Sequence, residues 1–221
     1  MPTTLSLAVC LFPGVTALDF AGPMEVLCFL TSPVIAAGFL PTTPAYLIEP
    51  IYLSTSKDPV TVPAGFTILP AKSYDEVTEQ YDVLLVPGGT GTRPEASPKV
   101  LEDFIKKQTP NAKYVLSVCT GSEVLARAGV LEGKRATTNK ASFKRIVEET
   151  RDLKVTWVPK ARWVIDGKVW TASGVTAGAD MGCAFLEHLA GAQIANHARG
   201  IVELSNHKQD DDEFAEFYNL I

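Results

Sequence analysis

The stretch YVLSVCTGSEVLA, residues Tyr114–Ala126, changes its periodicity at a single cysteine. Its first five residues form a mostly apolar run of strand length, and a helical pattern begins directly after Gly121. Cys119 therefore lies at a predicted strand-to-helix turn, a nucleophile elbow, which exposes a side chain at the carboxyl edge of a sheet. The amino end of a helix favours thiolate over thiol, so Cys119 is a candidate nucleophile. The alternative is a buried core cysteine at a strand end.

Strand-like and helix-like segments alternate along the rest of the chain. Strands are predicted at Leu5–Leu11, Ala45–Leu53, Val83–Val86 and Tyr114–Val118. Helices are predicted at Pro23–Leu30, Pro98–Gln108, Ser122–Ala128, Ala141–Glu149, Ala179–Leu189 and Ala192–Ser205. Hairpin-like insertions are predicted at Val60–Leu69 and Trp163–Thr171. This order predicts an α/β fold, a three-layer α/β/α sandwich around a mostly parallel sheet of the flavodoxin-like or Rossmann-like kind.

Bulk composition narrows the class of protein. A chain of 221 residues that is 46% hydrophobic fits one domain over residues 1–221, with a helical extension from about 205 to 221. The net charge of -5, without a basic cluster, makes nucleic acid an unexpected partner. No apolar run has membrane-spanning length, and no leader pattern opens the chain. The cysteines are scattered singly in apolar segments, as in reduced cytoplasmic proteins, at Cys10, Cys28, Cys119 and Cys183.

Two further loops follow predicted strands and should reach the same sheet edge as Cys119. One contains Gly88 and Gly89, whose backbone N–H groups can be aimed at an anion, although an ordinary strand-end turn is the more common explanation of an isolated Gly-Gly. The other contains Asp19, either as the N-cap of a helix or as a carboxylate presented beside the thiol. A carboxyl group next to a thiolate is driven toward its protonated form, which suits it to donate and recover a proton.

The histidines and the carboxyl-terminal acidic run give weaker signals. His188 and His197 are nine residues apart, which would put them on opposite faces of one helix, and no spacing of the three histidines resembles a metal site. We therefore expect no metal and no cofactor. Residues 210–213 are predicted to be the solvated first turn of a last helix. Its apolar residues would dock on the body of the protein or on a partner subunit; they are Phe214, Phe217, Tyr218 and Ile221.

Taken together, several segments resemble the ThiJ/PfpI superfamily, whose members have a class I glutamine-amidotransferase-like fold. The similar segments are DFAGPMEVL at 19–27, VPGG at 86–89, SVCTGS at 117–122, LARAGVLEGKRATT at 125–138 and SGVTAGADM at 173–181. The resemblance extends from about Leu5 to about Gly200. An aspartate in D-F-x-G-P combined with S-x-C-T-G is similar to the isonitrile hydratase branch. The glyoxalase and repair branch usually has a glutamate where this chain has Asp19.

The resemblance implies roles for particular residues. Cys119 would attack the terminal carbon of an isonitrile, and Asp19 would move protons as general acid and base, so that a thioimidate forms and is released as a formamide. Thr120, Gly88 and Gly89 would supply hydrogen bonds near the reacting carbon. The apolar segment Phe29–Leu40 could wall the pocket. The resemblance also implies a homodimer.

One departure from the family pattern affects the predicted chemistry. Relatives usually continue after Thr138 with His-Trp, whereas this chain has Asn139-Lys140. An asparagine cannot shuttle protons near neutral pH, so its presence disfavours glyoxalase chemistry more than hydration. Asn139 would also alter the pocket wall. Besides isonitrile hydration, two alternatives remain open: a glyoxalase- or deglycase-type enzyme acting on 2-oxoaldehydes, and a non-enzymatic protein whose Cys119 is reversibly oxidised.

Overall fold

A twisted sheet of seven strands forms the centre of the structure, a computed structural model that describes residues 2–205 and 207–221. The strands of the protein are β1 (Thr3–Cys10), β2 (Tyr46–Ser54), β3 (Val60–Thr61), β4 (Thr67–Ile68), β5 (Lys72–Ser73), β6 (Val83–Val86), β7 (Tyr114–Val118), β8 (Arg135–Ala136), β9 (Thr156–Trp157), β10 (Trp163–Asp166) and β11 (Val169–Ala172). The helices are α1 (Ala17–Leu27), α2 (Ser32–Ala36), α3 (Lys99–Gln108), α4 (Gly121–Arg127), α5 (Phe143–Glu149), α6 (Val175–Ala190), α7 (Ala192–Ile201) and α8 (Phe214–Phe217).

Strand order places the loops after β1, β6 and β7 side by side. The order across the main sheet is β10-β11-β7-β6-β1-β2-β5, and every neighbouring pair is parallel except β10 with β11. After β1 the chain adds β2 on one side of β1, and later it adds β6 and then β7 on the opposite side of β1. The order therefore reverses between β1 and β6, which is where open α/β sheets form their binding crevice.

Helices cover both faces of this sheet. All four residues of β6 are buried, as are the last four of β7. Both faces of these central strands are covered by helices, so side chains on either face are removed from water. On one face α1 packs lengthwise against α6, and on the other α3 packs against α4. The result is the predicted three-layer α/β/α sandwich. Among the described residues, no helix is long and apolar enough to cross a membrane.

The predicted strands lie within one or two residues of the observed ones, but the first helix was placed wrongly. We expected it at Pro23–Leu30, whereas α1 begins at Ala17 and contains Pro23 in its interior. Thr16, not Asp19, is the N-cap residue, so the capping interpretation of Asp19 is wrong. Pro23 lacks the N–H that would bond the carbonyl of Asp19, and packing of α1 on α6 outweighs that local loss.

Two further expectations about connections need correction. The Trp163–Thr171 segment does form a hairpin, with Gly167 at φ +61°, but it is no insertion because β11 pairs with β7 in the main sheet. The histidines at 188 and 197 do not share one helix. Gly191 adopts φ +83° and ends α6, so that a second helix, α7, begins at Ala192.

The carboxyl-terminal segment is much less helical than predicted. Within residues 207–221, the helical part is α8, which is four residues long. Asp210 and Asp211 are exposed as expected, but Asp212 is 3% exposed and lies 3.1 Å from the buried Lys140 ammonium. The four apolar residues expected to dock on the body stay exposed, whereas their neighbour Ala215 is buried. Their docking on a partner subunit, like the homodimer itself, stays a prediction.

Candidate active site

Cys119 lies at a strained turn between β7 and α4. Its φ of +58° is in the left-handed region, which a non-glycine residue adopts only when its surroundings hold it there. The Cys119 N–H donates to the carbonyl of Ala172 at 3.1 Å. Its own carbonyl accepts hydrogen bonds from Ser122 Oγ at 3.2 Å and Thr138 Oγ1 at 3.1 Å. These three bonds fix the elbow, and the side chain of the buried Cys119 lines a cavity.

Asp19 reaches the same position from the first turn of α1. Its side chain is fully buried, and Oδ2 accepts a hydrogen bond from the Gly88 N–H at 2.9 Å. The Gly88 carbonyl in turn accepts from the Thr16 N–H at 2.9 Å, which ties the start of α1 to the glycine loop. Asp19 Oδ1 has no hydrogen-bond partner among the described residues. The site therefore holds a buried carboxyl group with one oxygen available to a substrate or to the thiol.

The glycines after β6 position the other site residues. A Cβ on Gly88 would lie 2.5 Å from Thr120 N and 2.9 Å from Asp19 Oδ2, so only glycine fits between them. Gly89 adopts φ +141°, and a Cβ there would lie 2.2 Å from the carbonyl oxygen of Gly14. The N–H of Gly88 already bonds Asp19, and that of Gly89 bonds Thr120 Oγ1 at 3.0 Å. Both N–H groups thus orient side chains in this structure, and neither is a free donor for an oxyanion.

Thr120 is a hydrogen-bond partner of the Cys119 sulfur. Its hydroxyl oxygen accepts from the Gly89 N–H and, at 2.8 Å, from the hydroxyl of Thr92. The Thr120 hydroxyl also lies 3.4 Å from the carbonyl oxygen of Gly89, a long hydrogen bond that shares its proton with Cys119. Both the N–H and the hydroxyl of Thr120 lower the pKa of Cys119. Thr92 was not predicted, since a threonine three residues beyond Gly89 has no distinguishing sequence pattern.

Burial governs the protonation of the Cys119–Asp19 pair. It raises the pKa of Asp19 to about 6, although the Gly88 N–H and the Cys119 thiol both oppose this shift. Burial, followed by the Asp19 carboxylate, raises the pKa of Cys119 to about 12, against the opposing hydrogen bonds from Thr120. The expected thiolate-favouring effect of the helix end is thus outweighed by desolvation. At neutral pH the pair carries one proton, and that proton resides on the sulfur.

A cavity of about 220 Å³ opens at the Cys119 sulfur. Four of the residues predicted for the site line it, namely Cys119, Thr120, Gly89 and Asn139. Asn139 is half-buried and caps a short 3-10 turn, with its Oδ1 accepting from the Ser142 N–H at 3.3 Å. No residue of the predicted wall Phe29–Leu40 is among the described residues that line the cavity, so that expectation is wrong.

A buried carboxylate behind the cavity was also missed. Glu123 lies in the first turn of α4 and is 1% exposed. Arg145 contacts both of its oxygens at 3.0 Å, and Arg127 contacts Oε1 at 3.0 Å. The two guanidinium groups neutralise the Glu123 carboxylate, which offsets the cost of burying its charge. The sequence shows only a glutamate after the elbow, and it does not show which arginines the fold brings to it.

The remaining cysteines and the histidines lie away from this site. Burial raises the pKa of Cys10 to about 12 and that of Cys183 to about 11, in line with core thiols, whereas Cys28 is half-buried instead of core. His188 contacts the hydroxyl of Tyr114 at 2.9 Å, and His197 contacts the carbonyl of Phe39 at 2.6 Å. Asp19 is an ionisable group that contacts the Cys119 thiol.

Fold and site together define an α/β sandwich protein with a cysteine at a strand-to-helix elbow and a buried acid beside it. The chain belongs to the DJ-1/PfpI family, whose model matches residues 6–188. The chain is 36% identical over 193 residues to an isonitrile hydratase from Pseudomonas putida, a match that covers 86% of this chain and 75% of that protein. It is also 33% identical over 129 residues to a deglycase from Pyrococcus abyssi, which covers 58% of this chain and 74% of the deglycase.

Solved structures show the same architecture. A ThiJ/PfpI family protein from Pseudomonas syringae superposes with a TM-score of 0.76 at 28% identity, and the match covers 94% of this chain and 78% of that one. DJ-1beta of Drosophila melanogaster superposes with a TM-score of 0.72 over 93% of this chain and the whole of the other, at 21% identity. The second likeness extends to the fold alone.

Proposed function

We propose that this protein is an isonitrile hydratase, which adds water to an isonitrile and releases an N-substituted formamide. The observation that carries the proposal is the buried Asp19 carboxyl beside Cys119, held by the Gly88 N–H at 2.9 Å. An isonitrile has an electrophilic terminal carbon and no leaving group, so its hydration needs a nucleophile and one group that moves protons. The relative from Pseudomonas putida named isonitrile hydratase supports the same reaction.

The first step adds the thiol across the terminal carbon. Asp19 takes the proton from Cys119 Sγ as the sulfur attacks, and a carbon–sulfur bond forms. The terminal carbon gains electron density as the sulfur bonds to it, and Asp19 returns the proton to that carbon. The product is a thioimidate, R–N=CH–S–Cys119, and Asp19 is again a carboxylate. Thr120 stabilises negative charge on the sulfur, consistent with its lowering effect on the Cys119 pKa.

The second step hydrolyses the thioimidate. Asp19 takes a proton from water as the water oxygen attacks the same carbon, and the nitrogen receives that proton. The carbon–sulfur bond then breaks, the hydroxyl proton passes through Asp19 to the sulfur, and R–NH–CHO leaves. Each turnover consumes one isonitrile and one water, and the thiol and the carboxylate are restored. No step requires a histidine, which agrees with Asn139 at the cavity wall.

The test is formamide formation from a small alkyl isonitrile, followed by mass spectrometry. We expect the wild-type protein to produce the N-alkylformamide and Cys119→Ala to produce none. Cys28→Ala is the matched control, since it removes a half-buried thiol outside the cavity and should retain turnover. Absence of formamide from folded, reduced wild-type protein over several isonitriles would contradict the proposal.

A pH profile tests the protonation state that the mechanism needs. The active pair carries one proton, a state that is lost below the Asp19 pKa of about 6 and above the Cys119 pKa of about 12. We expect kcat/KM to fall about tenfold per pH unit below about pH 6 and to stay level from pH 7 to 9. The measurement is steady-state kinetics from pH 4.5 to 9, with circular dichroism confirming a folded protein at each pH. A tenfold rise per unit between pH 7 and 9 would show instead that thiol ionisation limits the reaction.

A deglycase-type enzyme is the second candidate, favoured by the relative from Pyrococcus abyssi. The short Asp19 side chain and the asparagine at position 139 count against it, because moving a proton between adjacent carbons needs a base that reaches both. Methylglyoxal consumption under the same conditions separates the two activities. A reversible redox role is less favoured, because the raised pKa of Cys119 keeps the reactive thiolate scarce.

A further inference from the structure

The residues that line the cavity at Cys119 have mostly hydroxyl, amide and guanidinium side chains, whose carbon atoms supply about half of the cavity surface. Its lining residues beyond those predicted are the hydroxyl side chains of Thr16, Thr90 and Ser142 and the guanidinium groups of Arg93 and Arg145. Among the described residues that line it, none has a carboxylate, an aliphatic or an aromatic side chain. A cavity of about 220 Å³ is also below the roughly 300–1,000 Å³ of drug-sized sites. Its chemistry suits a small substrate with a polar or anionic end.

Arg93 supplies a charge that the protein does not neutralise. It follows the turn that contains Gly89 and Thr92, and it is exposed. Its guanidinium has no ion pair and no hydrogen bond within residues 2–205 and 207–221. An arginine fork presents donors in the plane that a carboxylate accepts, so an uncommitted arginine at a cavity mouth is suited to bind that group.

Arg145 differs from Arg93 because its charge is already balanced. It contacts both oxygens of Glu123 at 3.0 Å and the carboxylate of Glu149. These contacts hold the guanidinium in place at the cavity wall, but they leave little net charge for a ligand. Among the lining residues, the unpaired positive charge therefore comes from Arg93, and Arg145 contributes a fixed donor surface. The Asp19 carboxylate beside Cys119 lies outside this lining.

We propose that the cavity selects a substrate with a carboxylate a few atoms from its reacting carbon, and that Arg93 is the group that binds this carboxylate. The proposal rests on the isonitrile hydratase function for the identity of the reacting group, which makes the substrate class a small isocyano carboxylate. The anion preference itself depends only on the cavity.

Alkylation of Cys119 tests the anion preference without any isonitrile. Iodoacetate and iodoacetamide have nearly the same size and differ in charge, and Cys28 serves as the reference thiol in the same molecule. The measured quantity is the ratio of the iodoacetate rate to the iodoacetamide rate at Cys119, divided by the same ratio at Cys28. We expect it to be about twofold to fivefold lower in Arg93→Gln than in the wild type, the size of effect that an exposed ion pair gives. The matched control Arg151→Gln removes an exposed arginine that pairs with Glu148 outside the cavity, and it should leave the ratio unchanged. An unchanged ratio in Arg93→Gln would overturn the proposal.

Turnover tests the substrate class separately. With isocyanoacetate and its neutral methyl ester, we expect kcat/KM to favour the acid in the wild type and this preference to decrease in Arg93→Gln. If neither compound is hydrated but the alkylation ratio still falls, the anion site stands and isonitrile hydration is wrong. If both are hydrated and the ester is preferred to the same extent in both proteins, hydration stands and the carboxylate proposal is wrong.

Discussion

Asp19→Asn is expected to lower kcat/KM for isonitrile hydration by about 10²–10⁴-fold and to stabilise the folded protein at pH 7. The loss of activity follows because an amide cannot take the proton from Cys119. The stabilisation follows from burial, which raises the pKa of Asp19 from 3.8 to about 6 in the folded protein. This carboxyl group favours the folded state most below about pH 3.8, and its contribution is lost as the pH rises through about 6.

The asparagine keeps an oxygen to accept the Gly88 N–H and carries no charge to desolvate. We therefore expect a gain in the free energy of unfolding on the order of 1–3 kcal/mol at pH 7, which shrinks toward pH 4. Urea unfolding at pH 4, 5, 6 and 7 measures it, with the exposed Asp152→Asn as control. A variant that is inactive and also less stable at pH 7 would mean that the Asp19 carboxylate supports the fold and is not a strained catalytic group.

Asp212→Ala is expected to destabilise the protein by about 3–5 kcal/mol. The reason is the buried Lys140 ammonium, which lies 3.1 Å from Asp212 in a pair whose side chains are 2% and 1% exposed. Thr137 Oγ1 at 2.7 Å and the carbonyl of Ala161 at 2.9 Å would remain as its neutral partners. Removing only the carboxylate leaves an uncompensated charge in a desolvated position.

Removing the lysine of this pair is expected to destabilise the protein less than removing the aspartate. In Lys140→Met, the Asp212 carboxylate keeps the N–H groups of Ala161 and Phe214, at 3.1 and 3.0 Å. We expect Lys140→Met to cost less than Asp212→Ala, and the double variant Lys140→Met/Asp212→Ala to lose less stability than the sum of the two single losses. Thermal and urea unfolding of the set measures this, with Asp211→Ala as the exposed neighbouring control. Equal, additive losses in the two single variants would show that the pair contributes no coupling energy.

Local sequence signals were enough to predict the elbow and four of the seven strands of the main sheet, β1, β2, β6 and β7. The pattern around Cys119 predicted β7 with its observed bounds, because a strand buried on both faces is a continuous apolar run, and it predicted the start of α4 at Ser122, one residue after the observed Gly121. The alternation of strands and helices predicted the α/β sandwich. Where packing competed with local preference, prediction was wrong. Pro23 suggested a helix start, but α1 extends through it because its packing on α6 outweighs the missing bond.

The sequence by itself thus determined the fold class, the family and the proximity of Cys119, Asp19 and Gly88, since loops after neighbouring parallel strands meet at one sheet edge. Only the tertiary structure decided the protonation of the Cys119–Asp19 pair, because desolvation depends on the atoms that surround a group. It also decided that Asp212 is the partner of Lys140 and that Arg93 faces the cavity. These contacts join segments far apart in the chain, and no local periodicity encodes which distant charge will be buried against which.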